Sequence, residues 1–254
     1  MNIVGIIPAR MGSSRFPGKP LKNILGKPMI AHVYHRSKMA NILKDVYIAT
    51  CDKEIESYCL KNNLNVVMTS KKHKRASDRT AEAMLKIEKQ LNKSIDIIVM
   101  IQGDEPMIWP QMIKEALKPM LHDKNIQVVN LMAALKSPDE YKDINEVKVV
   151  ADLSNFALYF SREPIPNFRA RNRAAVTYKQ VCVIPFRRDF LIKFNRLSPT
   201  PLEIAESVDM LRILEHGYKV KMVLTKFNTC SVDTPQDLCQ VEKLMQKDPL
   251  IKKY

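Results

Sequence analysis

The sequence predicts an α/β fold: a single domain on a mixed, mostly parallel sheet flanked by helices, with an inserted arm at about residues 135–200. Three observations lead there. Apolar strand-like runs alternate with helical patterns through the first half, the order that sets parallel strands in one sheet with helices on its faces. After Val128, strand-like runs follow one another with little helix between them, as in a mixed or antiparallel extension of the sheet. No internal repeat or low-complexity linker divides the 254 residues, a length that one large α/β domain fits.

The first strand is the apolar run at 3–7, which ends in a loop rich in glycine, serine and proline. A helical pattern follows near 29–39. Residues 46–50, β-branched and aromatic, read as a strand, and a polar-faced helix runs over about 52–61. Residues 66–68 form a short strand and 77–91 a helix. The run 95–101 is apolar throughout, as a strand covered on both faces must be, and ends at Gln102-Gly103-Asp104. Pro110 opens a helix to residue 121, proline being tolerated in a first turn. Strands are then expected at 147–151, 157–161 and 176–186, and helices at about 189–194 and 203–215. A strand at 219–224 and a helix at 235–245 close the chain.

Hydrophobic residues make up 46% and charged residues 27%, ordinary for a globular protein, and no apolar run approaches a bilayer-crossing length. The opening MNIVGIIPARMGSSR lacks the basic start and cleavage site of a signal peptide and reads as a first strand, so a cytoplasmic protein without membrane insertion is expected. The five cysteines are odd in number with no C-x-x-C pair, which favours reduced thiols over a disulfide frame or zinc site. The net charge of +14 points to polyanionic partners, either nucleic acid or phosphorylated small molecules. Exposed helix lysines account for part of it, and Lys71-Lys72-His73-Lys74-Arg75 could be a solvated loop. With no basic patch interleaved with aromatics, nucleic acid is not expected as a partner. His32 and His35 stand three apart on a helix, but no third metal ligand accompanies them.

The strongest motif is the loop from Pro8 through Ala9, Arg10, Gly12, Ser13, Ser14, Arg15 and Lys19 to Leu21. It follows a strand and precedes a helix, where open α/β sheets bind ligands. Glycines allow close backbone approach, serines donate hydrogen bonds, and Arg10, Arg15 and Lys19 supply charge: the chemistry of a triphosphate cradle. It is not a Walker A loop, since Pro20 stands where Ser or Thr is needed, nor is it G-x-G-x-x-G. A loop that merely turns the chain is the plainer alternative. Glycine use argues against it: of six glycines, Gly12, Gly18, Gly26 and Gly103 lie in or beside this loop and the Gln102-Gly103-Asp104 turn. Asp104 ends an apolar strand, and Asp233 lies between a strand and the last helix. Two carboxylates beside a triphosphate suit Mg²⁺, a hard cation preferring oxygen ligands. Alternatively Asp104 is a turn residue and Asp233 a helix cap.

The loop resembles the signature of the 3-deoxy-manno-octulosonate (Kdo) cytidylyltransferases and, more distantly, of the acylneuraminate cytidylyltransferases. The likeness continues in order along nearly the whole chain. Ala49-Thr50-Cys51-Asp52 is similar to the family's strand end, and Ser77-Asp78-Arg79-Thr80-Ala81-Glu82 resembles its S-G-T-[DE]-R-x-A-E block. Gln102-Gly103-Asp104-Glu105-Pro106 matches Q-G-D-E-P, Val147-Lys148-Val149-Val150 matches V-K-V-V, and Ala157 to Arg162 matches A-L-Y-F-S-R. Val232-Asp233-Thr234-Pro235-Gln236-Asp237-Leu238 resembles V-D-T-P-E-D-L.

This resemblance implies a single Rossmann-like nucleotidyltransferase domain, a homodimer, CTP and magnesium, with the arm serving sugar binding and dimerisation. It implies that Asp104 and Asp233 hold metal, and that Lys19 and Arg15, with Asp104, form the catalytic set. The nucleotide would be bound by Ala9, Arg10, Gly12, Ser13, Ser14, Arg15, Lys19, Arg79 and Gln102. The sugar acid falls to Gln102, Lys148, Arg162, Gln180, Asp209 and Met210. Arg79 and Arg162 suit a sugar carboxylate by two-pronged pairing, or are surface ion pairs; Lys148 touches substrate or protects a sheet edge. Departures from the family gather on the sugar side. Gln180-Val181-Cys182-Val183-Ile184 stands for H-x-G-x-Y, and Val208-Asp209-Met210-Leu211-Arg212 for L-E-Q-L-R. They point either to a modified Kdo, such as an amino-substituted one, or to drift in a tolerant pocket. A different sugar acid, such as a nonulosonate, and a catalytically silent nucleotide-binding relative are the competing readings.

Overall fold

The computed structural model describes residues 1–12, 15–167, 176–227 and 230–254. The chain forms two compact units, residues 1–114 with 228–254, and residues 115–227.

In the first unit, β1 (Ile3–Ala9) is followed by a loop, a 3-10 turn (Lys19–Leu21) and a small hairpin, β2 (Asn23–Ile24) and β3 (Lys27–Pro28). Then come α1 (Met29–Lys38), β4 (Asp45–Thr50), α2 (Lys53–Lys61), β5 (Val66–Met68), α3 (Ala76–Leu91) and β6 (Ile97–Ile101). The strands run in the order β6-β1-β4-β5 with parallel pairing throughout, as alternating strands and helices dictate. Every residue of β6 is buried, the reason its sequence is apolar without alternation. The register pairs Ala9 with Thr50, so the chain leaves β1 and β4 side by side at their carboxyl ends. Helix α4 (Pro110–His122) carries the chain out of this unit.

The second unit holds β7 (Val129–Ala134), α5 (Pro138–Lys142), β8 (Lys148–Ala151), β9 (Ala157–Ser161), β10 (Tyr178–Val181), β11 (Val183–Arg187), α6 (Arg188–Arg196), α7 (Pro201–Glu206), α8 (Met210–Glu215) and β12 (Lys221–Thr225). Its mixed sheet is ordered β12-β7-β10-β8-β9: β12 runs parallel to β7, the other pairs antiparallel. The chain then returns to the first unit, where α9 (Pro235–Met245) closes the structure.

Four features differ from the sequence reading. Strands β7, β8, β9, β10 and β12 form a sheet of their own rather than an extension of the first. The strand β7 was not expected. The strand expected over 176–186 divides at Cys182 into β10 and β11. The helix expected over 203–215 breaks at Ser207, whose φ of 54° lies in the left-handed region that stops an α-helix.

Candidate active site

The loop after β1 is anchored. Met11 N–H donates to Asp52 Oδ2 at 2.7 Å, and Gly18 N–H to Met11 O at 3.1 Å. Gly18 holds φ 71°, a conformation open to glycine at no steric cost. Phe16, 8% exposed, packs with Ile24, Met29, Val232, Val241 and Met245. A segment that only reversed the chain would not seat a phenylalanine in a core cluster. Ser13 and Ser14 lie outside the described residues.

The 3-10 turn presents Lys19. Its Nζ donates to Asp104 Oδ2 at 3.0 Å and to Asp233 Oδ1 at 3.1 Å, and Arg15 Nη2 donates to that same Asp233 Oδ1 at 3.0 Å. Three predicted residues from distant stretches of sequence thus meet at one point, with Arg15 at its edge. The side chains of Lys19 and Asp233 are only 13% and 16% exposed, against 50% for Arg15. Burial alone would lower the Lys19 pKa. The charges of Asp104 and then Asp233, with their hydrogen bonds, outweigh it and hold the pKa above the usual 10.5.

Backbone devices bring the acids together. Gly103 carries the chain from β6 to Asp104 where a Cβ would stand 3.0 Å from Ile30 Cδ1 and 3.4 Å from the Pro8 carbonyl. Val232 N–H donates to Asp104 O at 2.9 Å, so the residue before Asp233 is joined to Asp104 itself. Asp233 is not the cap of α9. Thr234 is: its hydroxyl accepts from Asp237 N–H, while Asp237 Oδ2 accepts from the N–H groups of Asp233 and Thr234. The Asp233 carboxylate is left to the cations.

A cavity of about 310 Å³ opens over these groups. The loop lines it with Ala9, Arg10, Gly12, Arg15 and Lys19, and the turn after β6 with Gln102, Gly103 and Asp104. Asp233 joins them, and His73, Lys74, Arg75, Ala76 and Arg79 also line it. Arg79 is buried, and its Nη1 donates to Thr69 Oγ1 at 2.5 Å, so it is not a surface ion pair. The cavity collects cations around two carboxylates, an environment for a polyanion accompanied by metal. Two convergent carboxylates suit Mg²⁺, which takes one or two such ligands and completes its shell with phosphate and water. That one ammonium already bridges both acids shows that they converge on a single cation. Among the described residues no group of three or more His, Cys, Asp or Glu forms an all-protein metal cage.

Two residues escaped the sequence reading. Asp52 fixes the loop through Met11, and parallel pairing of the two strand ends is the signal that could have found it. His73 lines the cavity and is held through Nε2 by Glu82. Burial pushes the Glu82 carboxyl up, but Lys86, the Ser70 N–H and His73 overcome this and bring it to about 2. His32 bonds the Ile24 carbonyl and the Tyr254 hydroxyl, and His35 stacks on Tyr254.

The remaining candidates lie in the second unit. Lys148 is fully buried and donates to the carbonyls of Asp143 and Glu146, each at 2.7 Å. Its strand lies between β10 and β9, so it guards no sheet edge. Burial lowers its pKa, opposed by the charges of Asp143 and Glu146. Arg162 Nε and Nη1 donate to the carbonyls of Glu206 and Ile144, and its N–H donates to Glu206 Oε2. Gln180 Nε2 donates to Asn130 Oδ1 at 2.6 Å. Asp209 is half-buried at the start of α8, whereas Met210 is fully buried and offers no surface in this chain.

A sequence model of the family described as cytidylyltransferase matches residues 4–224. The chain is 45% identical over 255 residues to a 3-deoxy-manno-octulosonate cytidylyltransferase of Geobacter metallireducens, covering 96% of this chain and 98% of that one. It is 42% identical over 257 residues to the protein of the same description from Geotalea uraniireducens, covering 97% and 100%. Among solved structures, a CMP:2-keto-3-deoxy-manno-octonic acid synthetase complexed with CTP superposes with a TM-score of 0.88 at 38% identity, over 97% of this chain and 99% of that one. A cytidylyltransferase from Leptospira borgpetersenii, at 18% identity, covers 98% and 88% with a TM-score of 0.64 and shares the fold.

Proposed function

The chain belongs to the cytidylyltransferase family, and from that premise we propose that it joins CTP to a 2-keto-3-deoxy sugar acid, Kdo or a modified Kdo, releasing pyrophosphate. The observation that carries this reading is the meeting of Lys19, Arg15, Asp104 and Asp233 at one cationic cavity. The full set of charged groups also disfavours a catalytically silent relative. Relatives of near-equal length that are described as Kdo cytidylyltransferases favour this sugar over a nonulosonate.

A sugar hydroxyl attacks the α-phosphorus of CTP, and pyrophosphate leaves in line. Asp104 and Asp233 would hold Mg²⁺, which would supply Lewis acidity at the α-phosphate and favour the anionic form of the attacking oxygen. Lys19 and Arg15 neutralise the charge that grows on the leaving pyrophosphate. Arg10 and Arg79 lie in the same cavity and bind nucleotide. Ala9, Gly12, Ser13 and Ser14 supply the loop's backbone and hydroxyl donors, and Gln102 serves both nucleotide and sugar. Within the second unit Lys148, Arg162, Gln180 and Asp209 are the sugar-side residues. The arm at 135–200 is the dimerisation element of a cytoplasmic homodimer. Among the described residues no helix is long and apolar enough to cross a membrane.

The sugar side departs from the family pattern at Gln180, Ile184 and Met210. Gln180 has its amide engaged with Asn130, while Ile184 and Met210 are buried. Turnover with each of the four ribonucleotides, with and without chelator, tests the nucleotide and the metal. A panel holding Kdo, its 8-amino analogue and other 2-keto-3-deoxy acids tests the sugar. Activity with CTP, Mg²⁺ and one of these acids is expected; equal use of ATP, or full activity in excess chelator, overturns the proposal.

A further inference from the structure

One cation already occupies the position where the two carboxylates converge. The Lys19 ammonium bonds one oxygen of Asp104 and one of Asp233, at 3.0 and 3.1 Å, and all three side chains are less than a quarter exposed. Arg15 adds a second positive charge on the same Asp233 oxygen. A divalent ion bridging these oxygens would stand where Nζ now stands, and two such centres cannot share that space. The backbone keeps the acids together without it, through the Val232 N–H to Asp104 O bond and the Phe16 cluster. Lys19 is therefore not needed to assemble the pair. It neutralises the pair.

Resting on the reading of Asp104 and Asp233 as metal ligands, we propose that Lys19 is a resident counter-cation that closes the metal position until a triphosphate draws its ammonium away. The lysine stem is flexible and its charge compact, so the head can move from carboxylate to phosphate while Cα stays fixed in the 3-10 turn. Metal and nucleotide then enter together. Phosphate oxygens take over the ammonium, the carboxylates turn to the metal, and the lysine is left where charge develops on the leaving group. The free protein is thereby kept from loading metal alone.

The test is direct binding of Mn²⁺ in place of Mg²⁺, read as free Mn²⁺ by electron paramagnetic resonance, with no turnover involved. Native protein, Lys19→Met and Lys19→Arg are compared without nucleotide, then with a CTP analogue carrying a methylene bridge between its α- and β-phosphorus. Without nucleotide, Lys19→Met is expected to bind Mn²⁺ about tenfold more tightly than native, since a charge competing for both acids is gone, and Lys19→Arg to stay weak. The analogue should strengthen Mn²⁺ binding to native protein far more than to Lys19→Met. Thermal melts and the analogue's own affinity establish that each variant is folded. Equal or weaker Mn²⁺ binding by folded Lys19→Met, with analogue-dependent uptake intact in native protein, overturns the counter-cation. No uptake of Mn²⁺ by either protein while the analogue binds both overturns the metal reading itself.

Discussion

At the scale of single residues, the site rests on two carboxylates whose surroundings differ. Asp104 is joined through its own carbonyl to the Val232 N–H, whereas Asp233 depends on Thr234 and Asp237 to cap α9 in its place. Asp104→Asn and Asp233→Asn are each expected to cut turnover by several orders of magnitude, the loss of several kcal/mol of transition-state stabilisation, with little change in fold. Steady-state rates at saturating Mg²⁺ beside a circular dichroism melt check this; a near-normal rate removes that residue from the metal site. Both acids were legible in the sequence because each follows a strand and sits in a recognisable block. Glu206 was not legible. It receives the Ser161 hydroxyl and the Arg162 N–H across a separation of about 45 residues, and nothing local in its helix announces that. Long-range acceptance of a hydrogen bond leaves no periodic trace.

Among the elements, α3 begins in an unusual way. Its N-cap is Arg75, which makes no side-chain cap bond. A cation at the positive end of a helix dipole is unfavourable, and a serine would satisfy an orphan N–H. Arg75→Ser should stabilise the protein by about 1 kcal/mol and raise Tm by a few degrees. Because Arg75 lines the same cavity as Lys19 and Asp104, this change should raise KM for CTP with a smaller effect on kcat. Calorimetry and steady-state kinetics on one preparation read both. Helix α1 makes a second case. Arg36 Nε donates to the Tyr254 hydroxyl, which is also hydrogen-bonded to His32 Nδ1, and the Ile24 carbonyl accepts from His32 Nε2–H. Burial above all lowers the His32 pKa from its usual 6.5, against the Ile24 bond and with help from Arg36. The unfolded chain then takes up a proton that the folded chain refuses. Stability should be full above pH 6.5 and fall as pH drops below it. Tm measured from pH 7.5 to 5.0 should decline less for His32→Gln, which can keep one donor and one acceptor; parallel curves would exclude His32 as the source. Periodicity found these helices, but it could not see that Ser207 would divide the one expected over 203–215. A left-handed residue costs a helix its continuity without altering its apolar pattern.

For the molecule as a whole, the formal charge is +14. Cations gather in the cavity over Asp104 and Asp233, and a field of one sign speeds the capture of the opposite charge. The kcat/KM for CTP should fall severalfold between about 0.01 and 0.15 M ionic strength, with kcat less affected. A flat profile would mean that the charge acts elsewhere. The alternating first half was legible as a parallel sheet because each strand there is self-contained and apolar. The division into two units was not, since the second sheet is assembled from pairings such as β12 with β7, nearly a hundred residues apart.

The first unit is discontinuous, and this bears on how the protein comes into being. The chain leaves that unit after Lys114 and re-enters it at residue 228, so Lys19 meets Asp233 across 214 positions. A ribosome making it releases the loop, Asp104 and the cavity wall long before the second carboxylate. At about 5–20 residues per second, the nascent chain exists for on the order of ten seconds with the loop and Asp104 made and Asp233 still to come. Phe16 spends that interval without Val241 and Met245 to pack against. A chaperone that shields nascent apolar surface should therefore be retained by chains stalled before Val232 and released once α9 has emerged.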